Sequence, residues 1–240
     1  MYKNSEVIEE FFRKHKNQHK QEYTKKCILI DFDHIIGDFE QIHRLCNIYE
    51  KYVNRPISKF ESYKIIDSYQ YVFRPKIFEI FSLLNHSKLH FGLIAFSTQS
   101  KNVEFASMIL NYIYLKIKTI QIHDIILDTE DLNHIHFIQS FIKSKNCHTF
   151  LCHMDSIEYA EIDKDHCLFI LFKRYNYKHT IQEILKLFPY AYLKQDKKKI
   201  KKFIQTKMKL QNTKHHLPRS TYNISSIKLL AYLQEFIYHI

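Results

Sequence analysis

Residues Ile28 to Ile36 read ILIDFDHII, and this stretch decides the fold. Cys27 to Ile30 is a compact apolar run that ends in Asp31-Phe32-Asp33. Such runs read as buried parallel strands, whose carboxyl ends deliver functional groups into a crevice. A DxD after a strand is a weak signal by itself, because the same spacing can bind a metal, cap a helix or turn a loop. Two later strand ends, met in order along the chain, give it weight. Ser97-Thr98 ends a second apolar run, Phe91 to Phe96, and Asp155 comes after a third, His148 to His153.

Working outward, strand-like runs alternate with helical stripes. Ile77, Ile80, Phe81 and Leu84 give a helix over Lys76 to Leu84, and a second helix covers Val103 to Tyr114. Thr119 to Leu127 reads as strand, and Thr129 would cap a helix running to about Lys145. Cys167 to Phe172 is a fourth central strand, and Ile181, Ile184, Leu185 and Phe188 close the domain with a helix. Gly37 to Ser68 lacks clear periodicity and reads as a helix plus loop insertion, and Tyr69 to Phe73 as a short strand closed by Arg74-Pro75. Upstream, Val7, Ile8, Phe11 and Phe12 mark an N-terminal helix over residues 1–25. Alternating strands and helices imply a mostly parallel sheet covered on both faces.

Charge divides the chain as well. Lys194 to Arg219 carries ten bases and one acid, while the remainder holds 26 bases and 24 acids. The main domain therefore spans 26–193, and 194–240 is a basic helical extension. Within it Ile200, Phe203, Ile204 and Met208 form one stripe. Asn223 to Ile240 forms a further helix, with Ile227, Leu230, Leu233 (or Ala231), Phe236 and Ile237 on its apolar face. The basic segment could contact the phosphates of nucleic acid or of a phosphorylated protein tail, but it has neither interleaved base-stacking aromatics nor a known DNA-binding motif. Codon bias also bears on the lysines: two glycines and no tryptophan among 240 residues suggest an AT-rich genome.

Five cysteines form no CxxC pair, which suits a reducing compartment, and so an intracellular, nuclear or cytoplasmic protein. Cys147-His148 and Cys152-His153 lie on a strand pattern whose side chains alternate in direction, so the buried-strand reading is preferred to zinc. Met1 to Lys26 mixes Lys with Glu6, Glu9, Glu10 and Glu22, unlike a signal or transit peptide. No apolar run approaches the roughly 20 residues of a spanning helix, and no membrane partner is expected.

ILIDFDHII resembles the first motif of the haloacid-dehalogenase phosphatases. Tyr69 to Leu84, YQYVFRPKIFEIFSLL, is similar to the Arg-Pro region of the branch that dephosphorylates the C-terminal domain of RNA polymerase II, the NLI-interacting-factor-like phosphatases. IAFSTQSKNVEFA resembles the second motif, with Ser97 in the usual Thr place. TEDL (Thr129 to Leu132) and MDS (Met154 to Ser156) fall where the third and fourth motifs belong. The resemblance implies a HAD-like Rossmannoid three-layer α/β sandwich with a mostly parallel central sheet. It implies a phosphatase acting on phosphoserine or phosphothreonine of a protein. Asp31 would be the nucleophile and Asp33 the acid and base. Mg²⁺ would lie on Asp31, the Asp33 carbonyl and Asp155, and phosphate on Ser97 and Thr98.

Four departures bear on this. Glu130 stands where the third motif supplies a lysine, Met154 replaces an acid, His34 replaces an acid beside Asp33, and Lys76 replaces a glycine after Arg-Pro. A carboxylate beside a phosphate repels it. The alternative is therefore a catalytically inactive pseudophosphatase that binds a protein partner.

Overall fold

The computed structural model describes residues 26–32, 35–86, 91–97, 103–118, 122–127, 148–153, 167–171, 174–193, 196–208 and 218–239. The N-terminal helix expected before residue 26 and the helix expected from Thr129 lie outside these.

Five backbone segments pair in parallel: β1 (Lys26–Asp31), β2 (Phe91–Ser97), β3 (Ile122–Leu127), β4 (His148–His153) and β5 (Cys167–Leu171), in the order β3-β2-β1-β4-β5. β1 sits in the middle, in register with β2 from Lys26 opposite Phe91 to Asp31 opposite Phe96. Among the described residues seven helices accompany them: α1 (Glu40–Val53), α2 (Lys59–Ser68), α3 (Ile77–His86), α4 (Val103–Ile117), α5 (Ile181–Leu187), α6 (Lys197–Lys207) and α7 (Arg219–His239). Among the described residues, no helix is long and apolar enough to cross a membrane.

The expected fold class, the HAD-like three-layer sandwich, is corrected. Of the residues whose side-chain surroundings are described, 71% are helical, and they include no strand along its whole length. That body does not fit a parallel-sheet sandwich. Its helices lie closest to one another, α1 against α2 and α6, α3 against α4 and α7, and α5 against α6, while α4 against β3 is the one comparably close helix–strand pair among the described residues. A sandwich lays its helices over both faces of a sheet. Here the packing that can be followed side chain by side chain is helix on helix.

The reason lies in segments that sequence patterning undervalued. Residues 40–68 are two helices, not one with a loop. Gln41/Ile42, Leu45/Cys46 and Ile48/Tyr49 recur at three- and four-residue steps and are buried. Asn54 stops α1 in the left-handed conformation (φ 53°) that Asn tolerates, and its N–H donates to the Glu50 carbonyl. Ser58 then starts α2 with a capping box: its hydroxyl accepts from Glu61 N–H and the Glu61 carboxylate accepts from Ser58 N–H. Thr180 and Glu183 repeat the device at α5.

Tyr69 to Phe73 is not a strand. Gln70–Val72 is a 3-10 turn, because Tyr69, Val72 and Phe73 are the buried residues while Tyr71 is half exposed. Burial at i, i+3 and i+4 is helical spacing, where a strand would bury alternate residues. The apolar face of α7 is also rotated from the expected one. Tyr222, Ser226, Leu229, Leu233, Phe236 and Ile237 are buried, and Ile227 and Ala231 are exposed. The polar Ser226 hid that stripe from the sequence; its hydroxyl donates to the Tyr222 carbonyl, a bond that lets it sit in the core.

One buried acid links these elements to pH. Glu61 accepts two hydrogen bonds from Arg55 (2.7 and 2.9 Å) and one from Tyr49 Oη (3.1 Å). The Arg55 guanidinium holds its carboxyl down at about 2. A depressed folded value makes this contribution fully present above the unfolded carboxyl range near pH 4.3 and lost as pH falls towards 2. Because Arg55 is half exposed, screening reduces it to about 1 kcal/mol or less. Urea melts should show Glu61→Gln less stable by that amount at pH 7, with the gap to the parent protein closing by pH 2 to 3; an undiminished gap there would rule out the ionic contribution.

Candidate functional site

The parallel register brings two of the expected site residues to one edge of the sheet. Asp31 is the last residue of the middle strand, and Ser97 ends β2 one residue past the partner of Asp31. β4 runs parallel on the other side of β1 and ends at His153, so the chain leaves three strands at the same edge, where ligands of open parallel sheets bind. Asp33, Thr98 and Asp155 lie outside the described residues, as do Glu130 and Met154. The expected Mg²⁺ set of Asp31, Asp33 and Asp155 is thus represented by the backbone of Asp31. Among the described residues, no group of three or more His, Cys, Asp or Glu is placed to hold a metal.

The segment that leaves the aspartates is firmly built. Phe32, Ile35, Ile36, Asp38 and Phe39 are buried, and the segment is clamped to the residues before α3. Asp38 N–H donates to the Val72 carbonyl (2.8 Å), Arg74 N–H donates to the Ile36 carbonyl (3.0 Å), and Gly37 forms an antiparallel bridge with Phe73. The clamp requires glycine. A Cβ on Gly37 would stand 2.5 Å from both the Val72 carbonyl oxygen and Phe39 Cζ.

Two charged residues in this clamp escaped the sequence reading. Asp38 is buried; one carboxylate oxygen accepts from Tyr177 N–H (3.2 Å) and the other from Lys178 Nζ (3.4 Å), which also pairs with Glu40. Next to it, Gln41 bonds both backbone groups of His179, accepting from its N–H (2.7 Å) and donating to its carbonyl (3.0 Å). Arg74, which with Pro75 closes the run from Tyr69, is only 1% exposed. Its Nη1 donates to Ser225 Oγ on α7 (3.0 Å), and its guanidinium lies 5.8 and 5.9 Å from the ring centres of Tyr175 and Tyr222. The Tyr175 hydroxyl donates to the Tyr71 carbonyl, and burial pushes that phenol up. These partners are more than a hundred residues from Arg74, so no local pattern announces them. Arg74 and Lys178 are cations tied into the structure just past Asp31.

Lys76 explains one departure from the resembled pattern. It stands where that pattern has glycine, and its φ is 66°, the left-handed region that costs a side chain about 1–2 kcal/mol. The Ile80 N–H donates to its carbonyl (2.9 Å), placing it at the start of α3, and its ammonium pairs with Glu79 at 2.7 Å. The backbone here has a conformation suited to glycine although the residue is lysine.

Two substitutions test the clamp in opposite directions. Lys76→Gly should raise thermal stability by about 0.5–1 kcal/mol, relief of the left-handed strain outweighing a surface ion pair worth a few tenths. Gly37→Ala should lower it by about 2 kcal/mol or more, since the methyl group meets a backbone carbonyl and overpacks the core. Equal melting temperatures for either variant and the parent would contradict the corresponding reading.

No protein-family model matches the chain, and no curated protein matches it in sequence.

Proposed function

We propose that the chain is a divergent phosphatase that hydrolyses phosphoserine or phosphothreonine of a protein through an aspartyl-phosphate on Asp31. The observation that supports this is the placement of Asp31 at the carboxyl end of the middle strand, with Ser97 at the end of the neighbouring one. The reading of each role is taken from the resemblance to haloacid-dehalogenase phosphatases.

The Asp31 carboxylate attacks phosphorus as the bond to the seryl or threonyl oxygen breaks, and Asp33 delivers a proton to that leaving oxygen. Asp33, now a carboxylate, takes a proton from water as the water attacks the acyl phosphate. Inorganic phosphate leaves and Asp31 is restored. The hydroxyls of Ser97 and Thr98 hold phosphate oxygens. Asp31, the Asp33 carbonyl and Asp155 would supply hard oxygen ligands of the kind that suit Mg²⁺, which when bound would lend positive charge to the site.

A second reading is favoured by Glu130 and Met154, which remove a cation and an acid from the machinery. In it the same site binds a phosphorylated protein and does not turn it over. The two separate in one assay of an aryl phosphate with Mg²⁺. Turnover that requires the metal and falls about a thousandfold or more in Asp31→Asn identifies the phosphatase. Absence of turnover, with a phosphoserine peptide still bound and its unphosphorylated form not, identifies the binding protein. Turnover that persists in Asp31→Asn would refute both.

A further inference from the structure

We propose that α6, together with the exposed rings of Phe60 and Tyr192, forms a binding surface for single-stranded nucleic acid. Ile200, Ile204 and Met208 are buried, so α6 turns its other residues outward, and Lys197, Lys198, Lys199, Lys201, Lys202 and Lys207 are all exposed. There is no acid within the helix. Asp196, just before it, uses its carboxylate to accept from the N–H groups of Lys198 and Lys199.

Folding does not account for this arrangement. Three lysines occupy the first turn, against the positive end of the helix dipole. Lys197/Lys201 and Lys198/Lys202 are like charges four residues apart, which destabilise a helix. Acids on the surrounding elements are already engaged. Glu61 is bound by Arg55, Asp67 by Lys116, Glu50 by the Ile57 N–H, and Glu183 by the cap of α5.

The aromatic component comes from elsewhere in the chain. Phe60, on α2, is 59% exposed and Tyr192, between α5 and α6, is 66% exposed. Lys64 Nζ lies 5.2 Å from the Phe60 ring centre and 4.8 Å from that of Tyr192, so the two rings flank one ammonium. Two residues before Tyr192, the Tyr190 ring lies 5.5 Å from Lys197 Nζ, which brings the platform to the start of α6.

Exposed π faces beside a lysine track suit bases that are free to stack, with phosphates on the ammonium groups. A duplex keeps its base faces covered, and an acidic peptide has nothing to stack. Lysine point charges and flat rings read no base edges, so the surface would be indifferent to sequence. The inference does not depend on chemistry at Asp31.

The test is fluorescence anisotropy of the full chain with a labelled 20-nucleotide oligo(dT) and oligo(U). Binding should weaken with salt, with a logarithmic slope of about −0.7 per phosphate neutralised. Lys198→Gln/Lys201→Gln/Lys202→Gln should bind at least about tenfold more weakly with a shallower slope. Phe60→Ala/Tyr192→Ala should also lose about tenfold or more while keeping the parent slope, an effect that charge alone cannot produce. All these residues are exposed, and unchanged melting curves would confirm that each variant is folded. The proposal is overturned if no salt-dependent binding is seen, if duplex DNA or polyglutamate competes as well as the oligonucleotide, or if the aromatic variant binds like the parent.

Discussion

The antiparallel clamp between residues 36–38 and 72–74 is the constraint from which the rest of the described structure extends. It fixes the chain just after Asp31 with two backbone hydrogen bonds and an aromatic stack. Phe39 lies 5.1 Å from Phe32 and 5.2 Å from Phe73, and Phe73 contacts Phe78 and Tyr112 in turn. Each polar residue of the clamp then holds a distant segment: Asp38 holds residues 177 and 178, and Arg74 holds α7. A strand end followed by packed elements has a rigid exit, and a site positioned that way is more exact than one on a free loop.

Legibility followed the range of the interactions. Helices α3, α4 and α5 were readable because their burial follows a local three- and four-residue stripe. The apolar run before Asp31 is readable because its four residues are contiguous, the mark of a buried parallel strand. The fold class was not, because the insertion at 40–68 and the segments from 181 onward pack on each other, which no local pattern records. Tyr69 to Phe73 was misread since aromatic and β-branched residues suit both a strand and a buried turn. The buried roles of Asp38 and Arg74 depend on residues 139 and 151 positions away. Likewise, the one aromatic ring of the basic segment, Phe203, is only part-exposed and packs near Tyr52, and the exposed rings come from α2 and from the turn before α6.

The two proposed surfaces differ in how they handle charge. At the clamp the cations are enclosed, Arg74 between tyrosines and Lys178 between two carboxylates, so their charges act at short range and are weakly screened. Along α6 the lysines stand in solvent, where salt controls their reach. The first arrangement would suit orientation of a single anionic group, and the second a long polyanion whose register does not matter.

The dependence of Arg74 on α7 also orders events in time. The guanidinium is enclosed by Tyr175, Tyr222 and Ser225, and Leu233, Phe236 and Ile237 complete the same core. During synthesis the clamp and α1 to α4 emerge well before those residues exist, at about 5–20 residues per second. Until α7 arrives, a charge destined for the interior must remain hydrated and the apolar face of α3 uncovered. The nascent chain therefore cannot close this part of its core, and it stays open to chaperones until α7 is made.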